Sequence, residues 1–382
     1  MEKTNPPEGP QPGKRKRRQE QEDAATEVTE VAPDVLRMQL PISMPGLGHV
    51  NCYALLDEDG ATLVDPGLPS ANSFRALEDR LGQAGLRVED CHTVVVTHSH
   101  PDHFGGASRV LDRSQGKLVA HHSFYLGAVA PPKPEVAVDD LHAHEDAESG
   151  LRVPEDSARA HAHKPFTPVR SLKRGPTPWG GNPPRPPFKM RARMALLKMM
   201  GRSFMSMPTI THPKAGGDVI RLGKREFFIV HTPGHTEDHI CLHDPENEVF
   251  LAGDHVLPSI TPHISGLSSN ADPLQAFFDS LVTAAELKHV SQILPAHGHP
   301  FDDLAARCGA IREHHDERLI RVKEIGRELG PASVNDIMKK LFRERSWGAM
   351  AESETYAHVE HLRLLGEMGS HRDDKGYLIY EV

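Results

Sequence analysis

The sequence predicts an α/β protein, and three observations support this class. Short β-branched runs such as residues 93–96 have the composition of buried strands. Segments with apolar residues at helical spacing, such as residues 73–81, lie between these runs. Several runs end in His or Asp, which would place polar side chains along one edge of a sheet. We therefore expect a core of sheet and helices with a functional site at the strand ends.

Composition limits the class of protein further. The 382 residues suffice for one large domain and a smaller one. The net charge of −9 is modest for this length and is typical of a soluble protein. The four cysteines show no paired spacing, which favours reduced thiols over disulfides or a zinc knuckle. No apolar run approaches the ~20 residues of a membrane span, and no apolar segment follows the basic N-terminal residues, so a cytoplasmic location is predicted.

Two segments differ in composition from the rest. Residues 1–30 are polar and carry a basic run at residues 14–18, so a disordered tail is predicted, with a nuclear signal or a nucleic-acid contact as alternatives. Residues 131–214 lack strand alternation and are predicted to be a long insertion with a basic second half. Within it, residues 191–202 have the pattern of a basic amphipathic helix. Such a helix would cover the site, bind a polyanionic or lipid-like ligand or a partner, or form a solvated cover.

Residues 302–382 are predicted to form a separate winged-helix-like domain, and residues 31–301 the main one. Apolar residues recur at helical spacing from Ile311 to Ile325, and two shorter helical segments follow. A turn at residues 371–376 then lies between short apolar pieces, which predicts a closing hairpin. The middle helices show no basic excess, so a packing role is favoured over nucleic-acid binding.

The candidate site begins with the motif THSHPDH at residues 97–103, directly after the β-branched run described above. Pro101 interrupts regular backbone, so the cluster is expected in a loop at the carboxyl end of that strand. Imidazole and carboxylate groups suit zinc or a similar metal, whereas a plain His-rich surface loop is the alternative. Other strands end near His235, Asp254 and His297. Four such endings at separated points of the chain predict a metal site along one sheet edge.

Seven side chains divide into two predicted ligand groups that share one carboxylate. The groups are His98, His100 and His235, and Asp102, His103 and His297, with Asp254 bridging them. Two ions roughly 3.5–4 Å apart can lower the pKa of a water that they share towards neutrality, so that it binds as hydroxide. They can also polarise a carbonyl or phosphoryl oxygen. Asp102 and Asp254 are the predicted catalytic residues, and Asp102 would also orient the hydroxide. Asp65 is predicted to fix a ligand imidazole by accepting its second N–H.

Two further residues are predicted to contact substrate. His263 follows the bridging Asp254 closely and would hydrogen-bond substrate or protonate a leaving group, with a plain loop histidine as the alternative. Asn51 is predicted to line the mouth of the site.

The motifs at residues 97–103, 233–235, 253–254 and 295–298 resemble, in this order, those of the metallo-β-lactamase superfamily. Asp65 within VDPG matches the first motif of that family, and all seven metal positions carry residue types that the family uses. The resemblance covers roughly residues 31–301. It implies an αββα metallo-β-lactamase sandwich with two Zn²⁺ ions at the sheet edges, or Mn²⁺ or Fe²⁺ in their place.

The resemblance also implies a reaction class. Asp rather than Cys at position 254 is similar to the hydrolase branches, which include glyoxalase II, thioesterases, lactonases and nucleases. The tail and residues 254–262 resemble most the branch with β-lactamase-like endoribonucleases and acyl-carrier thioesterases. This implies a zinc-dependent hydrolase in which a metal-bridged hydroxide attacks the carbonyl of an ester or an acyl-thioester. A metal-dependent endonuclease of single-stranded RNA and a non-catalytic binding protein are the alternatives, and the oligomeric state is not predicted.

Overall fold

The structure is a computed structural model, and it describes residues 17–44, 46–124, 166–168, 177–181 and 206–382. Most of the predicted insertion lies outside the described residues. The predicted basic helix at residues 191–202 and residues 14–16 of the basic run lie outside them as well.

The regular elements of the described residues are numbered in chain order. The strands are β1 (Thr29–Ala32), β2 (Val35–Met44), β3 (Leu47–Leu56), β4 (Ala61–Val64), β5 (Thr93–Val95), β6 (Lys117–His121), β7 (Phe166–Pro168), β8 (Ser206–Pro208), β9 (His212–Lys214), β10 (Val219–Leu222), β11 (Arg225–His231), β12 (Ile240–Asp244), β13 (Val249–Gly253), β14 (Gln292–Pro295), β15 (Ala332–Ser333), β16 (Gly369–Arg372) and β17 (Leu378–Glu381). The helices are α1 (Ala71–Gln83), α2 (Pro101–Phe104), α3 (Ala107–Ser114), α4 (Pro273–Ala285), α5 (Leu304–Leu329), α6 (Val334–Leu341) and α7 (Ala349–Leu364). Among these helices, none combines the length and the apolar composition that crossing a membrane requires.

Two sheets pack face to face and form the centre of the molecule. The first has the order β1-β2-β3-β4-β5-β6-β9, antiparallel up to β4 and parallel from β4 to β9. The second has the order β10-β11-β12-β13-β14, and only its last pair is parallel. Side chains such as Val64 and Val95 of the first sheet share one apolar cluster with Phe227 and Leu251 of the second. Helices cover both outer faces, so the predicted αββα sandwich is confirmed.

Helix α1 illustrates why these segments adopt their structure. The side chain of Ser70 accepts a hydrogen bond from the Ser73 amide at 3.1 Å, which caps the first turn. Phe74, Leu77 and Leu81 then recur at helical spacing and are buried against the outer face of the first sheet. The face predicted from the sequence is therefore the face that the helix buries.

The C-terminal helices pack on the outer face of the second sheet. One apolar cluster contains Phe277 of α4, Ile311 of α5 and Val359 of α7 together with Phe250 of β13. The short strands β15, β17 and β16 form a small sheet in this order at the end of the chain. A C-terminal helical unit is thus present, while its winged-helix-like class and its boundary at residue 302 stay predictions.

A short turn at residues 177–181, within the range of the predicted insertion, contacts this C-terminal unit. The ring of Trp179 is buried and lies 4.9 Å from the ring of Tyr356 of α7, measured between centroids. The Trp179 carbonyl accepts a hydrogen bond from the Leu378 amide at 3.0 Å. At this point the predicted insertion is thus joined to the C-terminal core.

Two segments differ from the sequence prediction. Residues 17–30 were expected in the disordered tail, but the structure places them on the sandwich, where Glu20 is fully buried and β1 pairs with β2. Strand β9 falls within the range predicted as insertion, but it pairs in parallel with β6 and extends the first sheet. Both arrangements depend on partners that are distant in the chain, and local composition carries no information about these.

Candidate metal centre

The predicted ligands converge at one edge of the sandwich because the strands that carry them end there. His98 and His100 follow β5, Asp254 directly follows β13, and His297 follows β14. His235 lies in the loop between β11 and β12. All seven predicted ligands are buried except the partly buried His100.

The motif at residues 97–103 differs in one respect from the predicted loop. Pro101 is the first residue of helix α2, so Asp102 and His103 lie in a helical turn. Proline is favoured at this position because its fixed backbone angle suits a helix start and its missing N–H is not needed there. The short helix fixes both side chains relative to the strand end.

The first ligand group consists of His98, His100, His235 and Asp254. The Nδ1 atom of His100 lies 3.0 Å from His98 Nε2 and 3.0 Å from His235 Nε2. Asp254 Oδ2 lies 3.9 Å from His98 Nε2 and 3.6 Å from His235 Nε2. The four ligand atoms all lie within 4.8 Å of one another.

The second group consists of Asp102, His103 and His297. Asp102 Oδ2 lies 3.8 Å from His103 Nε2 and 3.6 Å from His297 Nε2. Asp254 reaches this group too, with Oδ2 at 3.5 Å from His103 Nε2 and Oδ1 at 3.3 Å from His297 Nε2. The Asp254 carboxylate therefore lies between the two groups.

The chemistry of these atoms fits divalent metal ions. His103 Nε2, His297 Nε2 and Asp254 Oδ1 are buried without a hydrogen-bond partner among the described residues. Leaving a buried polar atom unpaired costs about 1–3 kcal/mol, and one cation could pair with all three atoms, so their chemistry fits a metal ion. Neighbouring nitrogens on a tetrahedral zinc ion with bonds of about 2.0–2.1 Å lie roughly 3.3 Å apart, which is close to the 3.0 Å spacing in the first group.

Four ligand imidazoles have their second ring nitrogen held by the protein. The pairs are His98 Nδ1 with Thr97 Oγ1 at 3.1 Å, His103 Nδ1 with Asp65 Oδ2 at 2.8 Å, His235 Nδ1 with the His263 carbonyl at 2.7 Å, and His297 Nδ1 with the His49 carbonyl at 2.6 Å. Such contacts fix the ring orientation and the tautomer. Each Nε2 is thereby directed towards the centre of the site.

Burial and neighbouring charges set the protonation of the site. Burial, together with the surrounding histidines, holds the pKa values of His98 and His100 well below the usual range. Burial raises the pKa of Asp254, but His297 and His103 outweigh it and hold the pKa well below the usual range. Neutral imidazoles and an ionised carboxylate are the forms that bind metal. The pKa of His103 is raised well above its usual range because nearby carboxylates, first Asp254, outweigh the lowering caused by burial.

Asp65 lies directly after β4 and contacts two residues that follow β5, Thr97 and the predicted ligand His103. Its Oδ1 accepts from the Thr97 amide at 2.9 Å, and its Oδ2 accepts from the Thr97 hydroxyl at 2.7 Å and from His103 Nδ1. This is the contact expected of a residue that fixes a ligand imidazole.

Asn51 and His263, the two predicted substrate contacts, occupy different environments. Asn51 is fully buried, and its amide donates to the carbonyls of Pro295 at 2.8 Å and Gly298 at 2.9 Å. Asn51 therefore holds the loop that carries His297 and does not line the mouth of the site, because its polar atoms are used inside the fold. The His263 carbonyl accepts a hydrogen bond from Nδ1 of the predicted ligand His235. The role of His263 towards substrate stays a prediction.

His239 is a residue of this region that the sequence analysis missed. It is fully buried, its Nε2 accepts from the Asp254 amide at 3.0 Å, and its Nδ1 lies 2.7 Å from Thr232 Oγ1. A Cβ atom on Gly253 would lie 2.7 Å from His239 Nε2, so this close approach requires glycine. The sequence feature that could have revealed His239 is its position directly before a buried strand and four residues after His235.

Comparison with known proteins agrees with this geometry. The family model for the metallo-beta-lactamase superfamily matches residues 45–297. The probable metallo-hydrolase YqjP of Bacillus subtilis is 24% identical over 86% of this chain and 91% of its own length. The acyl-coenzyme A thioesterase MBLAC2 of Gallus gallus is 28% identical over 45% of this chain, and the match spans 59% of that protein.

Among solved structures, a beta-lactamase domain protein from Burkholderia ambifaria has a similar fold. Its TM-score is 0.66 at 26% identity, and the match covers 94% of this chain and 96% of that one. The family model alone covers more than half of this chain, and it ends at the predicted ligand His297. The chain therefore belongs to the metallo-beta-lactamase superfamily, and it is a metal-dependent hydrolase.

Proposed function

We propose that the chain is a dinuclear zinc hydrolase that acts on an ester or thioester carbonyl. The observation that carries this proposal is the position of Asp254, whose two carboxylate oxygens lie between two adjacent buried ligand groups. An open coordination position on each ion is what distinguishes a catalytic site from a closed structural one. Each ion would have four protein ligands, three from its own group and the shared Asp254 carboxylate, so water would bind as a fifth ligand, a coordination number that catalytic zinc can reach.

The protein's own residues would hold and orient the centre. His98, His100 and His235 would bind one ion, and Asp102, His103 and His297 would bind the other. When bound, two such ions supply Lewis acidity and lower the pKa of a shared water towards neutrality. Asp102 would also orient that water, and Asp65 would keep the His103 ring in place through the contact described above.

Two observations support a small acyl substrate. The partial match to an acyl-coenzyme A thioesterase favours a thioester, although the match covers less than half of this chain. An open cleft of about 620 Å³ borders the loop before His235 and is lined by His121, His122, His231 and Pro233, among others. Its lining residue Pro233 lies two residues before the predicted ligand His235, and the cleft would offer space for the part of a substrate that does not react.

The proposal is tested by metal analysis and by a substrate panel. The purified protein should bind close to two ions per chain and should hydrolyse acyl-thioesters or esters when loaded with zinc. Asp254→Ala and His98→Ala should lose at least one ion and most activity, because each removes a predicted ligand. His371→Ala, at an exposed position on β16, is the matched histidine control and should behave as the parent.

The panel should also contain lactones, phosphodiesters and single-stranded RNA. Hydrolysis of RNA with strong salt dependence, and no turnover of acyl substrates, would replace this proposal by the endonuclease alternative. A thioesterase activity that survives in Asp254→Ala would show that the predicted centre is not used.

A further inference from the structure

The N-terminal segment of residues 18–22, here called the N-terminal strap, lies across two loops of the metal centre. A 3-10 turn at Gln19–Gln21 forms its middle. One loop, residues 255–263, follows Asp254, and the other, residues 296–299, contains His297. The strap is distant in sequence from both loops, so its placement is a purely tertiary feature.

The buried carboxylate of Glu20 binds the first loop. Glu20 Oε1 accepts from the Ser259 amide at 2.7 Å and from the Ile260 amide at 3.1 Å, and Glu20 Oε2 accepts from the Ser259 hydroxyl. The guanidinium of Arg18 donates to the Ser259 carbonyl at 3.2 Å. A buried carboxylate is costly unless it is hydrogen-bonded, and here three donors of a single loop satisfy it.

The rest of the strap binds the second loop. Gln19 Oε1 accepts from the His299 amide at 2.8 Å. The Glu22 carbonyl accepts from Nδ1 of His49 at 2.9 Å, and Nε2 of the same ring accepts from the Gly298 amide at 3.1 Å. The carbonyl of His49 in turn holds Nδ1 of His297. A continuous set of hydrogen bonds therefore links the strap to a predicted ligand.

Two glycines show how closely the strap is packed. A Cβ atom on Gly48 would lie 2.0 Å from the Glu22 carbonyl oxygen, a distance that no side chain permits. Gly298 has a φ of 85°, and a Cβ atom there would lie 3.3 Å from Gln19. The strap is therefore packed closely against the backbone of β3 at Gly48 and, through the Gln19 side chain, against the loop of His297 at Gly298.

We propose that the N-terminal strap is a positioning element of the metal centre, with Glu20 as its principal positioning residue. Asp254 directly precedes one of the two loops, and His297 lies in the other. Holding both loops against one segment fixes the distance between the shared carboxylate and the ligands of the second group. This inference rests on the proposed function, because it assigns the strap a role in building that two-ion centre.

Glu20→Gln tests the inference with little change in shape. The neutral amide oxygen accepts more weakly than a carboxylate from the Ser259 and Ile260 amides, and the NH₂ group cannot accept from the Ser259 hydroxyl, so the first loop is held less firmly. Zn²⁺ is titrated into metal-free protein against a chromophoric chelator, and the absorption spectrum of the Co²⁺ form is recorded. Groups that hydrogen-bond a metal ligand directly commonly contribute about tenfold to a hundredfold in metal affinity. Glu20 acts through the loop after Asp254, so we expect a loss at the lower end of this range, about tenfold for one ion, with an altered Co²⁺ spectrum.

Two further variants make the result specific. Glu27→Gln changes an exposed carboxylate just beyond the strap and should match the parent in affinity and spectrum. Ser259→Ala removes a single donor to Glu20 and should give a smaller loss in the same direction, which decides the question if Glu20→Gln does not fold. Parent-like affinity and spectrum in both Glu20→Gln and Ser259→Ala, even with a lower melting temperature, would overturn the inference. A parent protein that binds no second ion would instead overturn the proposed function, and the inference with it.

Discussion

The carboxylate of Asp65 accepts hydrogen bonds from the Thr97 amide, the Thr97 hydroxyl and the His103 ring, at 2.9, 2.7 and 2.8 Å. One side chain thus connects the end of β4, the end of the strand before the histidine motif and a predicted ligand. Asp65 also has a positive φ of 55°, a backbone conformation that Asp and Asn adopt more readily than most residues. Asn is therefore the substitution that preserves the backbone while it weakens the acceptor.

We expect Asp65→Asn to lower zinc affinity at the second group by about tenfold to a hundredfold. The neutral amide accepts more weakly from His103 Nδ1, so the ring is held less firmly. The measurement is a zinc competition titration, with the melting temperature of the metal-free protein as a record of folding.

The control is Asp302→Asn, which changes an exposed carboxylate near the end of the sandwich. A metal-free Asp65→Asn protein should unfold within a few degrees of the parent, because the Thr97 contacts can be kept by the amide. Parent-like zinc affinity in Asp65→Asn would mean that the contact to His103 has no role in metal binding.

The candidate ligands were predictable at this scale, whereas their supporting residues were not. His98, Asp254 and His297 each follow a short apolar strand, and this pattern is local in the sequence. Asn51 and Glu20 act through carbonyls and amides that are distant in the chain, so residue type gave no signal. Asn51 was accordingly assigned to the mouth of the site, and Glu20 to a disordered tail.

At the scale of elements, helices α5 and α7 meet through a pair of buried histidines. His315 Nδ1 lies 3.1 Å from His358 Nε2, and the two rings are stacked with centroids 5.2 Å apart. Burial lowers the pKa of His315 to about 2 and the pKa of His358 to about 4. Both rings are therefore neutral in the folded protein at neutral pH.

This pair predicts acid sensitivity of the helix contact. The pKa of each ring is lower in the folded protein than in the unfolded chain, where a histidine titrates near 6.5. Below pH 6.5 the unfolded chain binds more protons, so the free energy of unfolding falls as the pH falls from about 6.5 to 4. His315→Gln removes one titrating ring and should reduce this slope by about 1.4 kcal/mol per pH unit near pH 5.

Urea unfolding of metal-free protein at several pH values between 7 and 4.5 measures the effect without a contribution from metal release. His212→Gln, at an exposed position on β9, is the control and should keep the slope of the parent. An unchanged slope in His315→Gln would show that His315 is not kept neutral by the fold.

Elements with a local pattern were predicted well, and those without one were not. Strands β4, β5 and β13 are apolar runs bounded by turn residues, and α1 has a clear helical face. Strand β9, with the sequence HPK, has no apolar alternation, and it is a strand because the edge of β6 offers it hydrogen-bonding partners. Pairing of this kind is decided by the tertiary fold.

At the scale of the whole molecule, the outer face of the second sheet and the C-terminal unit share one apolar core. Phe250 of β13, Phe277 of α4, Ile311 of α5 and Val359 of α7 belong to the same cluster. Two separately folded domains would each have a core of their own. The shared core predicts that the sandwich and the C-terminal helices unfold together, although the sequence suggested a boundary at residue 302.

Ile311→Ala tests this coupling, since Ile311 is fully buried in the shared cluster. Truncating a buried isoleucine costs about 2–5 kcal/mol. The two tryptophans of the chain report on the C-terminal unit, because Trp179 packs on Tyr356 and Trp347 donates to the Phe342 carbonyl. Release of Co²⁺, followed by its absorbance, reports on the sandwich.

We expect both signals to change at one urea midpoint in the parent and to shift together in Ile311→Ala, because one core cannot be weakened on one side alone. Fluorescence that shifts while Co²⁺ release keeps its midpoint would instead establish two independent folding units.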